Sequence, residues 1–279
     1  MLTNQHTQTA INQYKQIFLS NFTDETQESF DYLVNEIVRN HNVYLSLDEQ
    51  NDVQLGLVVI EKTIDSHHQV LKAGLIYGVV ASQKAKGTKI VARLLPHFID
   101  ELKQQYDIVL IESNHWPIYK EIGLLQVNQY NIYDLVNIPS HNLSDIQINN
   151  INEHVIKRCL DLYEKHLHNF NIKTYLKHDI NSMTNFIKLN MLSGDVLLLT
   201  DHAYALWNET DNKIYSVAFD SIVGFKQLLE YLRPGCQVQL NESFATLNID
   251  SLKLNRTFIK TKQVIGTNKI HDLLFNEIN

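Results

Sequence analysis

Between Gly78 and Leu95 the chain reads GVVASQKAKGTKIVARLL: a β-branched run, a turn carrying Lys84, Lys86, Gly87, Thr88 and Lys89, and then an apolar helical stripe. A strand, a glycine-containing turn and a helix together aim free backbone N–H groups at an anion, because the first helical turn has unpaired donors and the positive end of the dipole. With lysines beside those donors, the turn is suited to a pyrophosphate. Gly87 lets backbone approach a ligand closely or take a conformation closed to residues with a Cβ. The same residues also read as a solvated lysine turn that opens a helix. A second set lies downstream, where Glu112, His115 and Tyr119 fall within ESNHWPIYKEIGLL. Carboxylate, imidazole and phenol are proton-transfer groups. Their bland alternatives are a strand-end charge, one of 13 histidines, and a half-buried aromatic on a short helix.

The elements that must position these residues follow from apolar periodicity. Ile11, Tyr14, Ile17 and Phe18, then Phe30, Leu33, Val34 and Ile37, predict two amphipathic helices, the second capped by Thr23 or Asp24. Residues 42–47, 53–63 and 70–82 read as three strands in a meander. Residues 88–105 read as a helix despite Pro96, which should kink it or cost about 3 kcal/mol. A buried strand over 107–112, a short helix opened by Pro117 and ending at Gly123, and further strand over 124–138 complete this half. The polar segment 137–150 reads as a linker. Beyond it come helices over 155–169 and 180–193, strands over 195–200, 203–207 and 213–219, a helix over 221–232 and a strand over 237–240. The order of elements thus repeats, as in an internal duplication.

With 279 residues, 44% hydrophobic and 20% charged, the chain is expected to form two globular domains. We place them at 1–138 and 151–279, joined by the linker 139–150. A net charge of −7 speaks against a nucleic-acid surface and suits a cationic small substrate. The first residues lack a signal-peptide pattern and no apolar run is long enough for a membrane span, so no membrane partner and a cytoplasmic location are expected. Cys159 and Cys236 have no metal-ligand spacing and read as reduced structural thiols, with no metal expected.

On these residues the chain resembles the GNAT superfamily of acyl-CoA-dependent N-acetyltransferases. The superfamily's phosphate signature, Q/R-x-x-G-x-G/A, falls on Lys84, Ala85, Lys86, Gly87, Thr88 and Lys89, with lysine at the first position and at the second glycine. Lys89 there either adds a charge contact or narrows the cleft. WPIYKEIGL is similar to the superfamily segment that follows the fifth strand, which carries over Tyr119 as the acid protonating the thiolate leaving group. Two consecutive GNAT-like halves resemble the enhanced-intracellular-survival type of acetyltransferase. The sterol-carrier-like C-terminal domain usual in that type has no room before Asn279.

The resemblance implies an α/β (α+β) fold with a mixed, mostly antiparallel sheet in each of two tandem domains. It implies acetyl-CoA along Val79, Val80 and Ala81, held at the phosphates by Lys84, Lys86, Gly87, Thr88 and Lys89. The acceptor would be a small-molecule or peptide amine, deprotonated by Glu112 or His115, with the Asn279 carboxylate more remote. The second half, where FDSIVG has acidic Asp220 in place of a basic glycine turn, should bind no coenzyme A. A non-catalytic acyl-CoA or metabolite-binding module of the same fold is the alternative. A monomer or small homo-oligomer is expected.

Overall fold

Helix α1, Gln8–Asn21, forms where Ala10, Ile11, Tyr14 and Phe18 recur on one face, and all four are buried. Thr7 accepts from the Ala10 N–H and caps it. Helix α2, Gln27–Tyr32, is capped by Thr26 in a reciprocal box with Ser29, rather than by Thr23 or Asp24, and it runs into a π-helical turn over Leu33–Ile37. The Thr26 Oγ1 accepts from the Ser29 N–H at 3.0 Å and the Ser29 Oγ accepts from the Thr26 N–H at 2.9 Å, a reciprocal pair that sets the start of the helix at Gln27.

The computed structural model describes residues 1–39, 41–67, 69–113, 119, 121, 125–128, 130–136, 141–241, 252–256 and 261–266. Strands β1 (Val43–Leu47), β2 (Val53–Ser66) and β3 (Gln69–Ala81) lead to helix α3 (Ile90–Leu102) and strand β4 (Ile108–Ser113). Helix α3 continues through Pro96 and buries Ile90, Leu95, Phe98, Ile99 and Leu102. Strands β5 (Leu125–Asn128), β6 (Tyr130–Leu135) and β7 (Gln147–Ile148) follow. Helix α4 (Glu153–Asn169), strand β8 (Thr174–Leu176) and helix α5 (Ile180–Leu192) come next, then β9 (Asp195–Leu199), β10 (Ala203–Asn208) and β11 (Lys213–Phe219). Helix α6 (Ile222–Leu229) and strands β12 (Gln237–Asn241), β13 (Leu252–Arg256) and β14 (Thr261–Gly266) close the order.

Contacts divide the described residues into two units. The first draws on Met1–Ile64, Gln69–Val127 and β14; the second draws on Asp65–His68 and Asn128–Lys260. This division departs from the sequence expectation at both ends. Strand β6 pairs with β12 and β13 and so belongs to the second unit, while β14 pairs antiparallel with β4 in the first. The segment read as a linker is also structured: Leu143–Asp145 forms a 3-10 turn, and β7 pairs with β9. Backbone pairing rather than composition decides these placements, since short polar strands satisfy their N–H and C=O groups in a ladder as well as apolar ones do.

The first unit's sheet runs β1-β2-β3-β4-β14-β5 and the second's β13-β6-β12-β11-β10-β9-β7. Each is mixed and mostly antiparallel; β3 pairs in parallel with β4, and β11 with β12. In the first unit α3 packs over Leu55, Leu57, Val59, Ile76, Val109 and Ile111. In the second, α4 and α5 bury Cys159, Tyr163, Phe186 and Ile187 against Leu197, Tyr204 and Ala218, and α6 buries Phe225 and Leu228 with Trp207 and Phe219. Among the described residues no helix is long and apolar enough to cross a membrane, and no group of three or more His, Cys, Asp and Glu gathers as metal ligands.

Candidate functional site

The site begins where two parallel strands part. Strands β3 and β4 pair from Ala73 with Ile108 to Ile76 with Ile111, yet β3 continues to Ala81 and β4 to Ser113. Gly78 lies just past the last pair with φ +65, a left-handed conformation that favours glycine. The buried Tyr14 hydroxyl donates to the Gly78 carbonyl at 2.9 Å, tying β3 to α1 at this residue. Burial raises the Tyr14 pKa, with the Glu25 carboxylate adding to it, so the phenol stays a donor. A Cβ on Gly78 would sit 2.6 Å from Phe18 Cε2, so the close approach of α1 also requires glycine. Beyond Gly78, Val79 and Ala81 are half-buried and Val80 is buried.

The lysine turn follows directly. The Ser82 N–H donates to the Gln54 carbonyl at 2.9 Å, a 3-10 turn spans Gln83–Ala85, and Ala85 anchors it in the core. Thr88 bonds back to the Ala85 carbonyl through both N–H and hydroxyl, at 3.2 and 2.7 Å. Gly87 has φ +82, and a Cβ built there would meet no atom within 4 Å, so its face is open. Lys89 stands at the N-cap of α3 with φ 56 and ψ 27 and gives no side-chain cap. The lysine that replaces the signature's second glycine therefore keeps a conformation glycine favours. No side chain at the N-cap covers the first-turn N–H groups of Ile90, Val91 and Ala92, which makes them donors for an anion.

Lys84, Lys86, Thr88 and Lys89 are all exposed around this opening. Lys84 is engaged: its Nζ lies 3.0 Å from Asp52 Oδ2. The hydrogen bond and charge of Lys84 hold the Asp52 carboxyl below the usual carboxylate range. Lys86 and Lys89 form no ion pair with any described residue. The open glycine, the uncapped helix and these two cations fit a diphosphate.

Of the proton-transfer candidates, Tyr119 is helical and 7% exposed, in the same buried cluster as Ala85 and Ile90. Glu112 lies in β4, its backbone paired with Lys262 of β14. His115 and Asn279 fall outside the described residues. Sequence reasoning missed Glu25, in the connection between α1 and α2. Its carboxylate accepts from the Tyr77 hydroxyl and from the Ser29 hydroxyl, each at 2.6 Å. Tyr77 immediately precedes Gly78, so Glu25 is held where β3 runs on past its last pair with β4. Nothing in the stretch TDETQE distinguishes it from the neighbouring surface acids Asp24 and Glu28.

The second unit repeats the strand geometry without the anion turn. Strands β11 and β12 pair in parallel only at Lys213 with Gln237 and Ile214 with Val238. The His166 ring hydrogen-bonds the Phe219 carbonyl at 3.0 Å, tying α4 to the end of β11. There, however, Ser221 caps α6 by accepting from the Gly224 N–H at 3.1 Å. Asp220 stands beside that cap, bonded to Ser221 at 2.8 Å and to His202 at 2.9 Å. Partial burial would raise its carboxyl, but these hydrogen bonds and the charges of His202 and Lys165 outweigh it and hold the carboxyl below the usual range. A capped helix end guarded by a carboxylate repels phosphate.

No family model matches the sequence, and no curated protein matches it. Solved structures do match along its length. A GCN5-related N-acetyltransferase from Kribbella flavida has a TM-score of 0.66 at 11% identity, covering 95% of this chain and 70% of that one. One from Anabaena variabilis has a TM-score of 0.64 at 14% identity, with 95% and 72% covered. Eis1 from Mycobacterium abscessus has a TM-score of 0.63 at 7% identity, with 96% and 74% covered. The chain has the fold of the GCN5-related N-acetyltransferases.

Proposed function

We propose that the first unit binds acetyl-CoA and transfers its acetyl group to a primary amine of a small molecule or peptide. One observation carries this reading: the parting of β3 from β4 leads directly into a turn with an open glycine and an uncapped helix end. A slot for an extended arm and a cradle for a diphosphate thus lie at the end of one strand, as acyl-coenzyme A requires. When bound, the coenzyme supplies a thioester whose carbonyl an amine can attack.

The remaining roles belong to this chain. N–H groups of Val79 to Ala81, past the last β3–β4 pair, offer hydrogen bonds to the extended arm and to the oxygen on which charge develops. Gly87, Lys86, Lys89 and the first turn of α3 hold the phosphates, while Lys84 stays partly neutralised by Asp52. Glu25, fixed by Tyr77 and Ser29, is the carboxylate for binding and deprotonating an ammonium group. Tyr119 is the acid for the departing thiolate. The amine attacks directly, and its proton passes to a base while the sulfur gains one.

The burial of Tyr119 favours a second reading, a module of the same fold that binds an acyl-CoA without turnover. Thermal unfolding with acetyl-CoA followed by a thiol-release assay separates the two. At about 100 times its Kd the ligand should stabilise the binding unit by about 2.7 kcal/mol. That gain should vanish in Gly87→Glu, which places a carboxylate among the anion donors. Tyr119→Phe should cut thiol release at unchanged coenzyme affinity in an enzyme. No stabilisation by millimolar acetyl-CoA would sink both readings.

A further inference from the structure

A second recess lies wholly within the second unit. The last turns of α4 place Glu164, Leu167 and His168 on one stripe, at spacing i, i+3, i+4. Facing them is one side of β8. Thr174 and Leu176 are buried on its far side, so Lys173, Tyr175 and Lys177 alternate onto the near side. The tip of the β2–β3 hairpin adds Asp65 and His67. It is fastened to β8 by Ser66 Oγ to Thr174 Oγ1 at 2.9 Å and by the His67 N–H donating to the Lys173 carbonyl at 2.9 Å. With Ile172 and His178 these residues enclose a cavity of about 420 Å³, within the size range of small-molecule sites.

Its charges are of both signs and mostly unmatched. Asp65 accepts from the Tyr175 hydroxyl, and burial followed by the Asp65 and Glu164 charges raises the Tyr175 pKa, which places both carboxylates about that phenol. Among the described residues neither Lys173, Lys177 nor Glu164 forms an ion pair. A simple anion would meet Asp65 and Glu164, and a simple cation would meet both lysines. A molecule with a separated ammonium and carboxylate satisfies both pairs. Leu167, Ile172 and the Tyr175 ring leave an apolar wall for an aliphatic substituent.

We propose that this cavity binds a free α-amino acid with an aliphatic side chain, its ammonium toward Asp65 and Glu164 and its carboxylate toward Lys173 and Lys177. The site shares no residue with the proposed transfer slot, so it stands or falls separately from acetyl transfer.

Calorimetric titration of the full chain with L-leucine, N-acetyl-L-leucine and L-leucine methyl ester tests it. Leucine should give saturable binding, and each derivative, lacking one of the two charges, should bind about tenfold more weakly. Glu164→Gln should weaken leucine about fivefold, and the double variant Lys173→Gln/Lys177→Gln should reverse the order of leucine and its methyl ester. All three side chains are exposed, so these variants keep the wild-type melting curve. The proposal is overturned by no saturable binding of leucine up to about 10 mM, by equal binding of leucine and N-acetyl-leucine, or by variants that bind leucine as wild type does.

Discussion

Replacing Gly78 by alanine perturbs the slot at the point where β3 leaves β4. Two costs add. The backbone there has φ +65, and holding a residue with a Cβ in that region costs about 1–2 kcal/mol. The new methyl would also lie 2.6 Å from Phe18 Cε2 and 2.9 Å from the Tyr14 hydroxyl oxygen. Both side chains are fully buried, so neither can swing aside, and overpacking of this kind costs about 1–3 kcal/mol more. The total is about 2–5 kcal/mol. Gly87→Ala is the internal reference, because φ is +82 there but no atom lies within 4 Å of the added Cβ. It should carry the backbone cost alone, about 1–2 kcal/mol. Urea unfolding followed by circular dichroism, compared at constant slope, measures both. If Gly78→Ala proves no more destabilising than Gly87→Ala, the close seating of α1 against Gly78 is refuted.

Two further outcomes follow from the same reasoning. Lys89→Gly removes the left-handed strain at the N-cap of α3 and should raise the stability of the free protein by about 0.5–1 kcal/mol, while loss of one phosphate-holding cation should lessen the added stabilisation by acetyl-CoA; an unchanged urea midpoint without ligand would show that the N-cap stores no strain, and an unchanged ligand effect would remove Lys89 from the phosphate site. His166 is lowered to about 4, chiefly by burial and despite its bond to the Phe219 carbonyl, from an ordinary value near 6.5. Its folded form is therefore neutral while the unfolded chain takes up a proton below about 6.5. The second unit should hold its full stability above that pH and lose about 3 kcal/mol as pH falls toward 4. In His166→Gln that pH slope should flatten; an unchanged slope would assign it to other groups.

The repeating core was legible because apolar periodicity is a direct record of burial. Tyr14 and Phe18 on α1, the β2 and β3 runs, and Ile90, Leu95 and Phe98 on α3 each sit where their spacing placed them. The turn after β3 was also legible, because glycine and lysine there answer to local backbone chemistry. What escaped is what depends on distant partners. Strand β8 is three residues long and forms against the hairpin tip, and β6 and β14 take their sheets from long-range pairing. The left-handed Lys89 was invisible because lysine carries no preference for it. Glu25 gains meaning only through Tyr77, 52 residues away.

The pairing of β14 with β4 bears on the order in which the protein can assemble. About 150 residues separate the two strands, so β4 emerges from the ribosome long before its neighbour exists. Until then its hydrogen-bonding edge stays open, a surface prone to pairing with other chains. Loop closure over that distance also makes the contact a late one. The first unit thus cannot complete its sheet as a newborn N-terminal half. Nascent chains stalled near residue 150 should need chaperone protection, and a gene split there should yield two aggregating fragments.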